Sequence, residues 1–207
     1  MSHVTLINLF KGVPLKDTKW FIESSWSGMF DELENYDGFI DALLHQSLDD
    51  GATFRLVNIS KWESTQKFGA ALSSEPVQKK LQKDMAGAPF VAYPSLYVTQ
   101  NRSFQLPQSP DEAVTLINPF EVPAGEDDAF IKGWTMARDY LIQSEGLIDS
   151  ALHKSLRPNA KYRFVNLALW KTVEHFQRAT SDAEFRQLLQ HMPYAHHPAL
   201  YKVVARY

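Results

Sequence analysis

The heptapeptide VTLINLF at residues 4–10 recurs as VTLINPF at residues 114–120, identical at six of seven positions. Further along the chain the offset changes from 110 to 108, and residues 26–82 then align without a gap with residues 134–190, with 20 of the 57 aligned positions identical. Such self-similarity indicates an internal duplication, which decides the number of domains before any local pattern is interpreted.

The duplication divides the chain into two similar halves. The sequence predicts a first repeat over residues 1–102, a polar linker with two prolines over 103–111, and a second repeat over 112–207. Each half is about 100 residues long, which is enough for a small core of its own.

Composition excludes several classes of protein. The 207 residues are 44% hydrophobic and 22% charged, typical of a folded domain, and the net charge of −3 comes with no basic stripe for nucleic acid. There is no cysteine, so disulfides, thiolate metal sites and thiol nucleophiles are excluded. No apolar run approaches the roughly 18 residues of a membrane span, and no signal peptide is recognisable. We expect a cytoplasmic protein that binds neither nucleic acid nor membrane.

Each repeat has the same predicted order of elements, β-α-β-β-α-β, which is typical of a ferredoxin-like unit. In the first repeat the predicted elements are strands at 4–10, 39–48, 54–62 and 96–99, a helix at 17–36, and a helical stretch that opens at Ser64 and is interrupted near Pro76. The fold class is therefore α+β.

Alternation along the third strand places apolar residues on both faces of the sheet. One face carries Phe54, Leu56, Asn58, Ser60 and Trp62, and Val57 and Ile59 lie on the other. One layer of helices covers only one face, so the second face needs a second sheet. We expect the two repeats to pack sheet to sheet as an α+β barrel within one chain, giving a monomer or a weak homodimer.

Several motifs resemble the antibiotic biosynthesis monooxygenase family, small proteins of the dimeric α+β barrel superfamily. In the first repeat they are GFI at 38–40, LHQSL at 44–48, FRLVNISKWES at 54–64 and Phe68. The second repeat resembles the family independently, through GLI at 146–148, His153, RFVNLALW at 163–170 and Phe176. The resemblance implies a cofactor-independent monooxygenase that oxidises an aromatic, polyketide-like molecule with molecular oxygen, with no metal.

The resemblance also implies site residues. The catalytic candidates are His45, Asn58, Trp62, His153, Asn166 and Trp170. The substrate-binding candidates, which also draw on strand parity, are Asn8, Phe54, Phe68, Asn118, Tyr162 and Phe176. A neutral imidazole can take a proton from a dihydroxy aromatic substrate, and amide and indole N–H groups can hold the resulting oxyanion.

Two departures from the family pattern keep other functions open. A tyrosine of some active members is Phe68 and Phe176 here, and an arginine is replaced by Gln82 and Gln190. The alternatives are a non-catalytic protein that binds a small apolar ligand and a polyketide cyclase or isomerase on the same barrel.

Strand parity predicts a site between sheet and helices within each repeat, with His45 on the neighbouring strand. Two differences, Leu43 against Ala151 and Leu72 against Thr180, predict a roomier and more polar site in the second repeat. We expect the second repeat to be the functional one.

Overall fold

Strands rich in apolar residues form the framework of each repeat. The computed structural model describes residues 3–100 and 113–207, and the predicted linker at 103–111 lies outside them. The first-repeat strands are β1 (Val4–Lys11), β2 (Phe39–Ser47), β3 (Phe54–Trp62) and β4 (Val91–Thr99). The second-repeat strands are β5 (Val114–Glu121), β6 (Leu147–Ser155), β7 (Phe164–Trp170), the short β8 (Ala195–His196) and β9 (Ala199–Arg206).

The helices follow the first and third strands of each repeat. In the first repeat they are a 3-10 turn (Leu15–Asp17), α1 (Thr18–Trp20), a π-helical segment (Phe21–Trp26), α2 (Ser27–Leu33), α3 (Thr65–Leu72) and α4 (Glu75–Met85). In the second they are α5 (Asp127–Leu141), α6 (Val173–Thr180) and α7 (Ala183–Leu189). The predicted α+β fold of two ferredoxin-like repeats is confirmed.

Two details differ from the prediction. The predicted break near Pro76 is a complete end of α3, and α4 begins at Glu75 with Pro76 in its first turn, where a missing N–H costs nothing. The last strand of the first repeat is longer than predicted, because β4 begins at Val91 and continues through Pro94, which pairs with Asn8 on β1.

The described residues form two compact units. The first contains residues 3–98 together with Val203–Tyr207, and the second is the described part of Thr99–Lys202. In the first unit Tyr207 and Ala42 exchange two backbone hydrogen bonds of 2.9 Å. The C-terminal segment is thus part of the sheet of the first unit.

Each unit has an antiparallel sheet of the same order. In the first unit β1 pairs with β3 and β4, and β2 pairs with β3, which gives the order β4-β1-β3-β2. In the second unit β5 pairs with β7 and β9, and β6 pairs with β7. The strand that carries the Asn-x-x-x-Trp sequence is therefore an inner strand in both units.

A glycine after the first helical segment is required in each repeat. Gly146 has φ of 92°, in the left-handed region that side chains avoid, and an added Cβ would overlap the ring of His175. Gly69, in contrast, lies within α3, and a Cβ there meets no described atom within 4 Å.

We predict that Gly146→Ala lowers the free energy of unfolding by about 2 kcal/mol, because backbone strain and overlap with His175 act together. Gly69→Ala is the control and should raise it by about 0.5–1 kcal/mol, since alanine favours the helix. Urea denaturation measures both changes. A Gly146→Ala protein as stable as the parent would contradict the conformation described for this turn.

Candidate functional site

The register of the strands sorts the candidate residues onto two faces of the sheet. In the first repeat Asn58 pairs with Asn8 on β1 and with Leu44 on β2, so the three side chains share a face. Trp62 lies four residues further along the same face. This face packs on the helices, in a cluster formed by Val4, Phe10, Leu44, Leu56, Trp62, Phe21, Trp26, Phe30, Leu33, Ala71 and Val77, among others. Asn58 and Trp62 thus lie between sheet and helices, as strand parity predicts.

The structure does not bring the candidate histidines to this face. His45 pairs with Val57, and His153 pairs with Val165, so both imidazoles lie on the face opposite the asparagines. Successive residues of a strand point to opposite sides, and each histidine is paired one position away from the asparagine. The expectation that His45 or His153 acts beside Asn58 or Asn166 is corrected on this point.

The same parity corrects one reason for expecting a roomier second site. Leu43 pairs with Ile59, and Ala151 pairs with Leu167, so this size difference lies on the histidine face. The other difference does lie at the helices, because Leu72 packs on the core of the first repeat. Its counterpart Thr180 bonds its hydroxyl to the carbonyl oxygen of Phe176 at 2.9 Å.

His45 is a buried imidazole without hydrogen bonds. Its side chain is fully buried, and neither ring nitrogen has a hydrogen-bond partner among the described residues, although backbone groups of Leu43 and Val57 lie near the ring. Burial disfavours the charged form and lowers the pKa of His45 to about 4. The ring is neutral at physiological pH.

In the first repeat both tryptophan indoles of the helix face donate hydrogen bonds to neighbouring side chains. The indole Nε1 of Trp26, at the end of the π-helical segment, donates to Oδ1 of Asn58 at 2.9 Å. The indole Nε1 of Trp62 donates to Oγ of Ser60 at 3.3 Å. The ring of Tyr207 packs on Trp26 with centroids 5.4 Å apart. This side of the first repeat is closed by its own side chains.

In the second repeat the corresponding polar groups are not paired in this way. Oδ1 of Asn166 accepts a long hydrogen bond of 3.4 Å from Oγ of Ser150. The indole Nε1 of Trp170 is buried with no hydrogen-bond partner among the described residues. Trp134, the counterpart of Trp26, packs in the apolar cluster that contains Phe130 and Phe164. Oδ1 of Asn118 is also buried without a partner in the described part of the chain, as is that of Asn8.

The apolar packing of the helix face is also less continuous in the second repeat than in the first. The first repeat has one continuous cluster, whereas the second has two, one around Trp134 and Phe164 and the other around Ala168 and Trp170. Asn166 lies between them along β7 and is half-buried, whereas Asn58 is only 3% exposed. The second repeat therefore has a polar, less tightly sealed region at Asn166.

Aromatic rings surround the two tryptophans of the strands. Phe68 packs edge-on against Trp62 at 5.3 Å between centroids, and Phe176 packs against Trp170 at 5.6 Å. Phe54 and Tyr162 lie elsewhere: the register of β1 and β3 shifts next to Phe54, whose ring contacts Tyr93 at 6.1 Å. Tyr162 contacts His197 at 5.8 Å. Phe68 and Phe176, but not Phe54 and Tyr162, are placed beside the tryptophans.

Two pairs of residues at this face were not among the candidates from the sequence. Trp26 and Trp134 are identical in the aligned repeats, and that identity was the available signal. Ser60 and Ser150 occupy different strands of the two repeats, so the alignment shows them only as mismatches. No group of three His, Asp or Glu side chains is placed to hold a metal ion within residues 3–100 and 113–207.

Solved structures with the same fold cover nearly the whole chain. An anthrone oxidase-like protein is 16% identical, covers 100% of this chain and 93% of its own, and has a TM-score of 0.76. A proposed monooxygenase of Fusobacterium nucleatum is 10% identical over 99% of this chain and 94% of its own, with a TM-score of 0.67. A proposed chlorite dismutase is 12% identical over 99% of this chain and 96% of its own, with a TM-score of 0.61. At these identities the likeness shows the fold.

The second repeat matches a known family by sequence. The family model of antibiotic biosynthesis monooxygenases matches residues 113–190, from β5 through α7. This match makes the second repeat similar to the antibiotic biosynthesis monooxygenase family and confirms the resemblance found in its motifs. No curated protein matches the sequence. None of the helices in the described ranges has the length and apolar composition needed to cross a bilayer.

The buried imidazole of His45 makes stability depend on pH. Its folded-state pKa of about 4 lies below the usual 6.5, so the unfolded chain takes up the proton first as the pH falls. This stability is complete above pH 6.5 and is lost as the pH falls towards 4, by about 3 kcal/mol at about 1.4 kcal/mol per pKa unit.

We therefore predict that His45→Leu flattens the acid side of the stability curve, because leucine takes up no proton. Urea denaturation at several pH values between 7.5 and 4 measures the difference between variant and parent. The exposed His191 provides the control: His191→Gln should leave the curve unchanged. Parallel curves for the parent and His45→Leu would show that His45 does not titrate in this way.

Proposed function

We propose that this protein is a cofactor-independent monooxygenase that oxidises a flat aromatic, polyketide-like substrate with molecular oxygen, and that the reaction takes place at the helix face of the second repeat. The observation that carries the proposal is the set of polar groups there whose hydrogen bonds are unmet or long, around Asn166 and Trp170. The family match to residues 113–190 falls on the same repeat.

The chemistry balances without a further reductant. An anthrone-type substrate carries a methylene carbon that is acidified by two flanking rings and by a ring carbonyl. Loss of one proton gives an enolate that reduces oxygen directly. The methylene carbon loses both hydrogens and becomes a carbonyl carbon, one oxygen atom enters the product, and the other leaves as water.

The residues of the second repeat support the step in which charge develops. The side-chain amide of Asn166 offers N–H donors, and the indole of Trp170 offers another. Donors fixed in an apolar surrounding stabilise an enolate oxygen more strongly than a neutral carbonyl, so they favour loss of the proton. His153 lies on the other face of the sheet, so the proposal assigns it no proton transfer with a substrate bound beside Asn166.

One alternative is favoured by a specific observation. Phe176 and Gln190 stand where some active members have tyrosine and arginine, and both changes remove polar groups. These changes favour a protein that binds an aromatic ligand without oxidising it. Oxygen uptake separates the two functions, because a binding protein retains the ligand and consumes no oxygen.

The test is oxygen consumption with dithranol, an anthrone, by the parent and by Asn166→Ala. We predict that Asn166→Ala lowers kcat about 100-fold, since removal of one oxyanion donor costs about that much. Asn58→Ala is the matched substitution in the first repeat. It should leave oxygen consumption near the parent value and lower the free energy of unfolding by about 2 kcal/mol, because it leaves the indole N–H of Trp26 buried and unpaired.

Three results would speak against the proposal. A parent protein that consumes no oxygen with any anthrone would exclude the reaction. Equal and small effects of the two substitutions would exclude a role for Asn166. A larger loss of activity in Asn58→Ala, at unchanged folding, would place the reaction in the first repeat.

A further inference from the structure

One helix position that faces the core in the first repeat carries a cation in the second. Phe30 on α2 is only 3% exposed, and its ring packs on those of Trp26 and Phe39 at 4.7 and 6.1 Å between centroids. The aligned residue of the second repeat is Arg138 on α5. A charged group at such a position is unfavourable unless its charge and its N–H donors find partners.

Arg138 finds only some of these partners among the described residues. Its Nη1 donates to Oδ1 of the adjacent Asp139 at 3.0 Å. Its Nε, in contrast, is buried with no hydrogen-bond partner in the described part of the chain. The side chain as a whole is 21% exposed, so the guanidinium lies at the boundary between core and solvent. A buried donor on a charged group is costly without an acceptor, and a ligand that brings an acceptor removes this cost.

The aromatic residue that closes this place in the first repeat has no aromatic counterpart in the second. The ring of Tyr207 packs on Trp26 and Phe30 at 5.4 and 6.0 Å between centroids. Its hydroxyl group donates to Oδ1 of Asp31 at 2.6 Å. The ends of the repeats align through a shared Pro-x-Leu-Tyr sequence, which sets Ser103, outside the described residues, against Tyr207. The second repeat thus has one aromatic ring fewer and a cation in place of another.

Arg138 is also placed on the side of α5 that faces the polar region at Asn166. In the first repeat the helix residue Trp26 bonds to Asn58 at 2.9 Å. Its counterpart Trp134 is buried and lies four residues before Arg138 on α5. Residues four apart in a helix share a face, so Arg138 lies one turn further along the same face. Asn166, the counterpart of Asn58, is half-buried, which leaves room for a ligand there.

We propose that Arg138 binds an anionic group of the ligand of the second repeat, and that this ligand is a carboxylic acid. Nε and Nη2 form one edge of the planar guanidinium, and a carboxylate matches such an edge with two parallel hydrogen bonds. Asp139 bonds to Nη1 and already neutralises part of the charge, so a monoanion suits the site better than a doubly charged phosphate group.

The recognising group in this inference is a cation on α5, and the strand tryptophan takes no part in it. The inference rests on the proposed function for the place of the site and for the aromatic part of the ligand. It adds a charged group that dithranol does not carry, and it assigns the specificity for that group to Arg138.

The test compares an aromatic acid with its neutral amide. Calorimetry measures the dissociation constants of anthraquinone-2-carboxylate and anthraquinone-2-carboxamide at neutral pH, without turnover. The parent should bind the carboxylate about tenfold more tightly, because charge-assisted, bidentate hydrogen bonds are about twice as strong as neutral ones. Arg138→Gln should remove this preference by weakening carboxylate binding about tenfold while the dissociation constant of the amide stays unchanged.

Lys132→Gln is the matched control, because Lys132 is an exposed cation on the same helix. It removes the same charge and should leave both dissociation constants near the parent values. Asp139→Asn should strengthen carboxylate binding about threefold, since it removes the neighbouring negative charge. The melting temperature of ligand-free Arg138→Gln should stay near that of the parent, because Nε has no described partner to lose.

Several outcomes would overturn the inference. A parent protein that binds the acid and the amide equally, or binds neither, would do so. Equal losses in Arg138→Gln and Lys132→Gln would show a general effect of charge and would overturn it as well. A lower melting temperature of Arg138→Gln with unchanged dissociation constants would assign Arg138 a structural role instead.

Oxygen uptake separates this inference from the proposed function. A carboxylate preference that depends on Arg138, with no oxygen uptake from any anthrone, would support the inference and exclude the oxidation. Oxygen uptake from dithranol without the carboxylate preference would overturn the inference alone.

Discussion

The arrangement of the candidate site depends on the two-residue period of β3 and β7. Because side chains alternate between faces, each strand carries its Asn and Trp to the helices and the residue after the Asn, Ile59 or Leu167, to the other side. The register with β1 then sets Asn8 beside Asn58, and the register with β2 sets His45 beside Val57. A slip of one residue in the pairing with β2 would bring the imidazole of His45 to the helix face. The register of the backbone pairing therefore decides which polar side chains lie at the helix face.

The two repeats differ in the hydrogen bonds that their aligned tryptophans make. The first repeat bonds the indole N–H groups of Trp26 and Trp62 to neighbouring side chains, whereas in the second repeat the indole N–H of Trp170 is buried without a partner among the described residues. An unpaired buried donor costs about 1–3 kcal/mol, a large fraction of the stability of an ordinary domain. Duplication makes that cost tolerable, since one copy can keep the paired and stable arrangement.

Much of the fold could be predicted from the sequence, because the repeat and the strand periodicity are local patterns. The face of Asn58 and Trp62 follows from counting along one strand. The face of His45 does not, since it depends on the register that the turn between β2 and β3 imposes. The bond between Trp26 and Asn58 joins residues 32 positions apart and depends on how a π-helical segment docks on the sheet. The exchange of Ser60 for Ala168 has a meaning only once Ala42 and Ser150 are known to be their partners across the strand.

The unpaired donors also bear on the choice between binding and oxidation. A ketone oxygen gains modestly from an N–H donor, whereas the oxygen of an enolate carries charge and gains about twice as much from each bond. Donors that are already in place and shielded from water therefore lower the pKa of the bound substrate, and they do so without a basic side chain. In the proposed function the indole of Trp170 and the amide of Asn166 stabilise the enolate, so the reaction does not depend on the tyrosine and arginine whose places are taken by Phe176 and Gln190. A site that binds a carbonyl in this way already favours the anion that reacts with oxygen.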